Sequence, residues 1–278
     1  MKNVNTVVSE IYTNGYSIVK NFIDNKFLLD NLLNEINNMR LEKMRSTISN
    51  KLIDSKLIIS PHSSSINFLE IISNKYINDI NKILLNDPFY RIIDQTLPNY
   101  SLNFSMSRSS GEDSLGWHRD DRNPPNSSKE ICYLQFGLAL EDSNRDNGCT
   151  RIIPKSHIIP TYVQNIDNME KINVIQEAGD LLIYDGRMWH AAHDNISVHS
   201  RWIFFFGFAR WHLKPTYDYT KNINYQILKN LSLEQKLILG FHCTSKVNED
   251  LNDFASQRGD LKFMELNYQN QIKKALLN

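Results

Sequence analysis

The sequence predicts a mainly β core with flanking helices, a double-stranded β-helix of jelly-roll, cupin-like form, and three observations predict it. Short apolar segments recur at 102–107, 131–140, 150–154, 181–185 and 201–208, bounded by turn residues. Helical periodicity lies mostly before and after them. The segment Arg201-Trp202-Ile203-Phe204-Phe205-Phe206-Gly207-Phe208 is apolar on both faces, as expected where one face lines a barrel and helices cover the other. One domain over 1–278 is the expected organisation, with a mainly helical flank at 1–99, the jelly-roll core at 100–210 and C-terminal helices at 211–278. A chain of 278 residues is long enough to bury such a core.

In chain order, 7–12 reads as a short helix, Asn14-Gly15 as a turn and 16–19 as a strand. A helix follows with Asp24 as its N-cap, since Leu28, Leu29, Leu32, Leu33, Ile36 and Met39 form one apolar stripe. Periodicity is lost at 41–65, a stretch rich in Ser and Lys that reads as a solvated loop or a lid. Helical spacing resumes at 66–72 and 76–85 and stops at Asn86-Asp87-Pro88. From Tyr100 the period becomes two: Leu102, Phe104 and Met106 alternate with Asn103, Ser105 and Ser107, until Ser109-Ser110-Gly111 ends the strand. Asn123 to Asn126 reads as a loop, and Asp146-Asn147-Gly148 as a hairpin turn. Ala178-Gly179-Asp180 turns into the strand at 181–185. Near the C-terminus, Ser232-Leu233-Glu234-Gln235 has capping-box form, Gly240 is placed to end that helix, 248–259 is polar, and 261–277 forms a final amphipathic helix.

Composition bounds the function. Lys plus Arg equals Asp plus Glu, 31 each, so no global field draws the chain to nucleic acid or to an anionic membrane, and a small molecule is the expected partner. Three cysteines without metal-ligand spacing argue for a reducing compartment. The N-terminus lacks an apolar signal core and no run approaches transmembrane length, so the expected location is the cytoplasm.

The chemistry centres on Gly116-Trp117-His118-Arg119-Asp120-Asp121. Read as a strand, it turns His118 and Asp120 to one face and Arg119 to the other. A histidine from a neighbouring strand, His190, would complete a 2-His-1-carboxylate face, which suits Fe(II) and leaves positions open for substrate and dioxygen. Asp121 would point away from His118. If 190 and 201 lie on the two arms of an antiparallel hairpin, Arg201 enters the same cavity. A buried arginine needs an anionic partner, and a metal-bound dicarboxylate would supply one. Gln135 and Asn103 are polar groups on otherwise apolar strands and are candidates for contact with that co-substrate. His193 and His199 read as surface or supporting groups, and His62 and His212 as surface or satisfied core. Arg108, Arg122 and Trp211 lie close in sequence to ligand-bearing segments and are left outside the site.

Together, His118-x-Asp120, Asn147-Gly148, Pro154-Lys155-Ser156-His157, Gly179-Asp180-Leu181-Leu182, Asp185-Gly186, Trp189-His190 and Arg201 resemble the phytanoyl-CoA dioxygenase family of iron(II)- and 2-oxoglutarate-dependent oxygenases. Asn14-Gly15-Tyr16-Ser17-Ile18-Val19 and Tyr217-Asp218-Tyr219-Thr220 extend the resemblance over about residues 9 to 240. Lys155 departs from the family, which usually has glycine before Ser156-His157; His157 itself matches a structural position. The resemblance implies that His118, Asp120 and His190 hold Fe(II), that Arg201 pairs with the far carboxylate of 2-oxoglutarate, and that O2 is the oxidant, with succinate and CO2 released. Asp120 occupies the place a halide would need, so halogenation fits poorly and hydroxylation is the default outcome; desaturation and oxidative ring closure need the same ligands. No dense basic patch suits coenzyme A, and the chain closes Ala275-Leu276-Leu277-Asn278 without a peroxisomal ending. A small metabolite, in specialised-metabolite or amino-acid-derived biosynthesis, is the expected substrate. The alternatives are a protein, peptide or acyl-CoA hydroxylase and a cupin-like binding protein without turnover.

Overall fold

Helix α1 (Val4–Asn14) is capped by the Asn3 side chain, which accepts from the Asn5 N–H, and ends at Gly15, whose φ of 87° is left-handed. The turn delivers the chain into β1 (Tyr16–Val19) and then α2 (Lys26–Ser46). The computed structural model describes residues 1–46, 56–89, 94, 96–111, 115–121, 130–159, 166–243 and 261–277, without the side chains of 43–46 and 263. The N-cap of α2 is Asn25, whose Oδ1 accepts from the Leu28 N–H at 3.2 Å, and not Asp24, one residue too early. Leu29, Leu32 and Ile36 form the buried stripe of that helix. Of the 41–65 stretch, 41–46 continue α2, 57–59 form β2 (Leu57–Ile59) and 61–63 a 3-10 turn; 47–55, the main part of the loop or lid, lie outside the described residues. Arg122, the 123–126 loop and the polar 248–259 stretch also lie outside them.

Helices α3 (Ile66–Ile72) and α4 (Lys75–Leu85) follow as the spacing predicts, capped by Ser65 and Asn74. The remaining strands are β3 (Tyr100–Ser109), β4 (Tyr133–Ala139), β5 (Thr150–Ile152), β6 (Ile172–Val174), β7 (Leu181–Asp185), β8 (His190–Ala192) and β9 (Trp202–Arg210). Helices α5 (Tyr225–Leu228), α6 (Leu233–Ile238) and α7 (Leu261–Leu277) complete the chain, with the Ser232–Gln235 capping box formed in both directions. In β3 the buried face is partly the polar one: Ser101, Ser105 and Ser107 are inaccessible, whereas Phe104 and Met106 are only half-buried. Small side chains suit a face where the backbone is closely approached.

Two antiparallel sheets result, a six-stranded one in the order β1-β7-β4-β9-β3-β2 and a three-stranded one in the order β6-β5-β8. This corrects the expected jelly-roll barrel. The fold is mixed β/α, and neither sheet closes on itself or curls into a barrel; β1 and β2 are the edges of one, β6 and β8 of the other. The turn at 146–148 is no hairpin, because β4 and β5 belong to different sheets. Nor do β8 and β9 form the two arms of one: β8 pairs with β5, opposite Ile152, while β9 lies between β4 and β3. Strand length and spacing are visible in a sequence; which strand each one pairs with is decided by packing at a distance.

The chain forms two compact units, one of residues 1–61 and 105–207, the other of 62–104 and 208–278. In the first, Ile152 and Val174 of the small sheet pack with Leu182 and Tyr184 of the large one and with Met188. In the second, Tyr100 donates to Asn78 at 2.8 Å and packs edge-on to Phe208, and Tyr268 of α7 packs edge-on to Phe241. Among the described residues no helix is long and apolar enough to cross a membrane.

Candidate metal centre

Strand β7 leaves the large sheet at Asp185, and residues 186–189 carry the chain across to β8, which starts at His190. His118 is brought to that point by backbone alone. Its N–H donates to the His190 carbonyl at 2.9 Å and its carbonyl accepts from the His190 N–H at 3.0 Å, a single antiparallel bridge. The segment is therefore not the strand its spacing predicts. Instead, the Asp120 and Asp121 N–H groups both donate to the Gly186 carbonyl, at 3.0 and 2.8 Å, and the Trp117 ring lies under the Arg151 guanidinium, 4.9 Å away.

So held, three side chains converge. His118 Nε2 lies 3.7 Å from Asp120 Oδ1, and His190 Nε2 lies 3.5 Å from Asp120 Oδ2. The imidazole centroids are 4.1 Å apart, and one ligand-type atom from each residue lies within 4.8 Å of the others. Among the described residues this is the one such cluster of three or more metal-ligating groups, and Asp121 is not part of it.

The tautomers follow from the neighbours. His118 Nδ1 faces the Gly116 carbonyl at 2.8 Å and His190 Nδ1 the Met188 carbonyl at 3.1 Å. A carbonyl only accepts, so each Nδ1 carries the proton and each Nε2 presents a lone pair to the centre. Burial lowers the His190 pKa, which favours the neutral ring further. Two unprotonated nitrogens and a carboxylate facing one point fit a divalent cation of the Fe(II) type, with positions left open.

Tyr184 of β7 is a residue that the motif reading passed over. Its hydroxyl lies 3.2 Å from Asp120 Oδ2 and 3.3 Å from His190 Nε2, and burial pushes its pKa well above the ordinary phenol range. A tyrosine in the apolar run Leu181-Leu182-Ile183-Tyr184 was the available signal, since a buried hydroxyl takes a partner.

The other site candidates separate. Arg201 is buried just ahead of β9, fixed by two backbone contacts to Ser110: its N–H donates to Ser110 Oγ at 3.1 Å and its carbonyl accepts from the Ser110 N–H at 3.0 Å. One terminal nitrogen donates to the Gly148 carbonyl, while Nε has no hydrogen-bond partner. Burial lowers its pKa to about 10, so the group remains a cation at neutral pH, with no carboxylate in ion-pair contact among the described residues. Gly148, at φ 86°, lies two residues before β5, beyond the end of the strand away from Ile152 and its partner His190. Gln135 is buried in β4 directly opposite Tyr184 of β7, and its Oε1 accepts from the Tyr133 hydroxyl. Asn103 belongs to the other unit, where its carboxamide donates to the Lys214 carbonyl at 3.1 Å and accepts from the Thr216 hydroxyl at 3.2 Å. His193 contacts Asn173 Oδ1, His157 contacts the Tyr12 carbonyl, and Trp211 donates to Asp87. His62 is fully buried against Tyr219, and burial lowers its pKa to about 3.

Comparison with known proteins agrees with this site. The family model described as phytanoyl-CoA dioxygenase (PhyH) matches residues 11–203. The Saccharomyces cerevisiae protein YJR154W is 25% identical over 252 residues, covering 84% of this chain and 72% of the yeast protein. Dioxygenase af480 of Aspergillus fumigatus is 26% identical over 184 residues, which cover 64% of this chain and 57% of the relative. Among solved structures, the epimerase SnoN in complex with Fe3+, alpha ketoglutarate and nogalamycin RO shares the fold at a TM-score of 0.58 and 16% identity, over 77% of this chain and 86% of that one. EctD from S. alaskensis, with 2-oxoglutarate and 5-hydroxyectoine, does so at 0.58 and 14%, over 73% and 74%. The chain belongs to the phytanoyl-CoA dioxygenase (PhyH) family and is an enzyme of the Fe(II)- and 2-oxoglutarate-dependent oxygenase class.

Proposed function

We propose that His118, Asp120 and His190 hold the iron, that Arg201 and Gln135 bind 2-oxoglutarate, and that the enzyme oxidises a small metabolite, hydroxylation being the default outcome. When bound, iron with 2-oxoglutarate and O2 supplies an oxidant for an unactivated C–H bond, with succinate and CO2 released. The residues of the chain bind and orient. Two neutral imidazoles and one carboxylate leave net positive charge at the centre, which favours an anionic keto acid. Arg201 supports the far-carboxylate role because it is a buried cation with an unused N–H, and an uncompensated charge in such a place is costly. Its Gly148 anchor lies four residues from Ile152, the partner of His190, so the two are at most about 14 Å apart along the chain. A five-carbon dicarboxylate and two side chains bridge such a span. The Tyr133 hydroxyl occupies Gln135 Oε1 and leaves the carboxamide nitrogen to donate to an anion.

For the substrate, the named neighbours support a small molecule: SnoN is an epimerase from nogalamycin biosynthesis, and EctD was solved with 5-hydroxyectoine. We place the enzyme in specialised-metabolite or amino-acid-derived biosynthesis, and in the cytoplasm, in line with Cys132, Cys149 and Cys243 standing outside any disulfide. The observation that carries the proposal is the convergence of His118, Asp120 and His190. Anaerobic titration of the apo-protein with Fe(II) and 2-oxoglutarate tests it. A weak visible charge-transfer band is expected for the wild type and lost in Asp120→Ala; bound iron without a band would overturn the keto-acid reading.

A further inference from the structure

The iron reading above leaves one buried group next to the ligands without a role. Tyr184 is the fourth of the five residues of β7, paired to Tyr16 of β1 on one side and Gln135 of β4 on the other, so its backbone is held from both directions. Its ring lies 4.9 Å from the His190 ring, and its hydroxyl has two neighbours, Asp120 Oδ2 at 3.2 Å and His190 Nε2 at 3.3 Å. With a cation on the His190 lone pair, that nitrogen no longer accepts a hydrogen bond. The phenol proton then has Asp120 as its acceptor.

We propose that Tyr184 is a positioning residue of the iron site, whose hydroxyl donates to Asp120 Oδ2 and so holds the carboxylate to ligation through one oxygen, Oδ1. The inference rests on the iron reading and extends it to a residue outside the ligand set. A carboxylate that turned to bind through both oxygens would fill one of the three positions needed for a chelating keto acid and dioxygen. The hydrogen bond to the outer oxygen keeps that position open and fixes the orientation of the ligand, an arrangement whose loss typically weakens metal binding by about 10- to 100-fold. Packing does not need the hydroxyl: the ring sits in the cluster of Ile152, Val174, Leu182 and Met188, where phenylalanine would fit as well.

The test is Mn(II) binding to the apo-protein, followed by loss of the free-ion EPR signal, in wild type, Tyr184→Phe and Tyr16→Phe. Tyr16 packs against the same cluster and is the control for packing. Tyr184→Phe is expected to raise the Mn(II) Kd at least about tenfold, with Tyr16→Phe within about twofold of wild type. Under anaerobic conditions, Fe(II)-loaded Tyr184→Phe is also expected to need more 2-oxoglutarate for half-maximal charge-transfer absorbance. An unchanged Mn(II) Kd in Tyr184→Phe overturns the proposal while leaving the iron reading standing. A fall in apo melting temperature of more than about 10 °C overturns it too, by showing that the hydroxyl is needed for the fold. Failure of the wild type to bind Mn(II) overturns both.

Discussion

His118 and His190 exchange both backbone hydrogen bonds, at 2.9 and 3.0 Å, so the main chain sets the two imidazoles side by side. With Asp120 pinned through its N–H to the Gly186 carbonyl, all three donors are fixed by main chain, and each can be removed without removing its anchor.

Asp120→Ala is therefore expected to keep the fold and lose the metal. The carboxylate is about a quarter exposed, and its hydrogen-bond partner Tyr184 keeps His190 Nε2 as an acceptor, so the apo stability cost stays at about 1 kcal/mol or less. Metal affinity should fall at least about a hundredfold, since loss of a mere supporting contact already costs 10- to 100-fold. Calorimetric Fe(II) titration with a thermal melt checks both. In the same assay His193→Ala, whose ring is engaged with Asn173, should cost far less than His190→Ala.

Arg201→Met separates stability from co-substrate binding. The folded pKa of about 10 lies below the ordinary 12.5, so burial works against the charge, and the apo fold carries that cost at every pH below 10. Methionine removes it, and the apo melting temperature is expected to hold or rise. The 2-oxoglutarate KM should rise at least about thirtyfold, the low end of the 2 to 5 kcal/mol lost when one partner of a buried charge pair is truncated. Steady-state kinetics at saturating Fe(II) decide it; an unchanged KM would remove Arg201 from the co-substrate site.

His62→Phe is expected to flatten the acid side of the stability profile. The neutral ring is held by burial at a folded pKa of about 3 against an ordinary 6.5, so below 6.5 the unfolded chain binds the extra proton and the fold loses stability as pH falls. Between pH 7.5 and 5.0 that loss amounts to about 2 kcal/mol. Urea denaturation at the two values should show the variant losing about that much less than the wild type. Equal losses would mean that His62 does not govern this window.

Much of the candidate site is legible in the sequence because it rests on local signals. His118-x-Asp120 and Trp189-His190 name their own chemistry, and the apolar runs at 16–19 and 181–185 become β1 and β7 without shift. What failed was partner choice. A three-residue strand such as β8 carries no mark of its sheet, so the sequence leaves open a hairpin between the His190 and Arg201 segments that the two-sheet topology forbids. Arg201 reaches instead toward Gly148 at the end of β5. Asn103 and Gln135 looked alike as polar interruptions of strands, yet one is spent on Lys214 and Thr216 and the other lies opposite Tyr184. Period-two patterning assigns faces, and it does not say what each face meets.

Gly15→Ala tests how far the metal centre depends on a turn outside it. At φ 87° alanine is strained by about 1 kcal/mol, and an added Cβ would overlap Met188 Sδ and His157 Nδ1. Neither neighbour yields freely: Met188 is fully buried, and His157 is held at the Tyr12 carbonyl. Displacing Met188 moves the carbonyl that takes the His190 Nδ1 proton, the contact that orients the ring. The variant is expected to lose about 2 to 4 kcal/mol of stability, as overpacking adds to strain, and to bind Fe(II) more weakly even where it remains folded. Measuring Fe(II) affinity well below the variant's melting temperature separates the effects. Affinity equal to wild type there would show that the imidazole is oriented by its own strand and not by the turn.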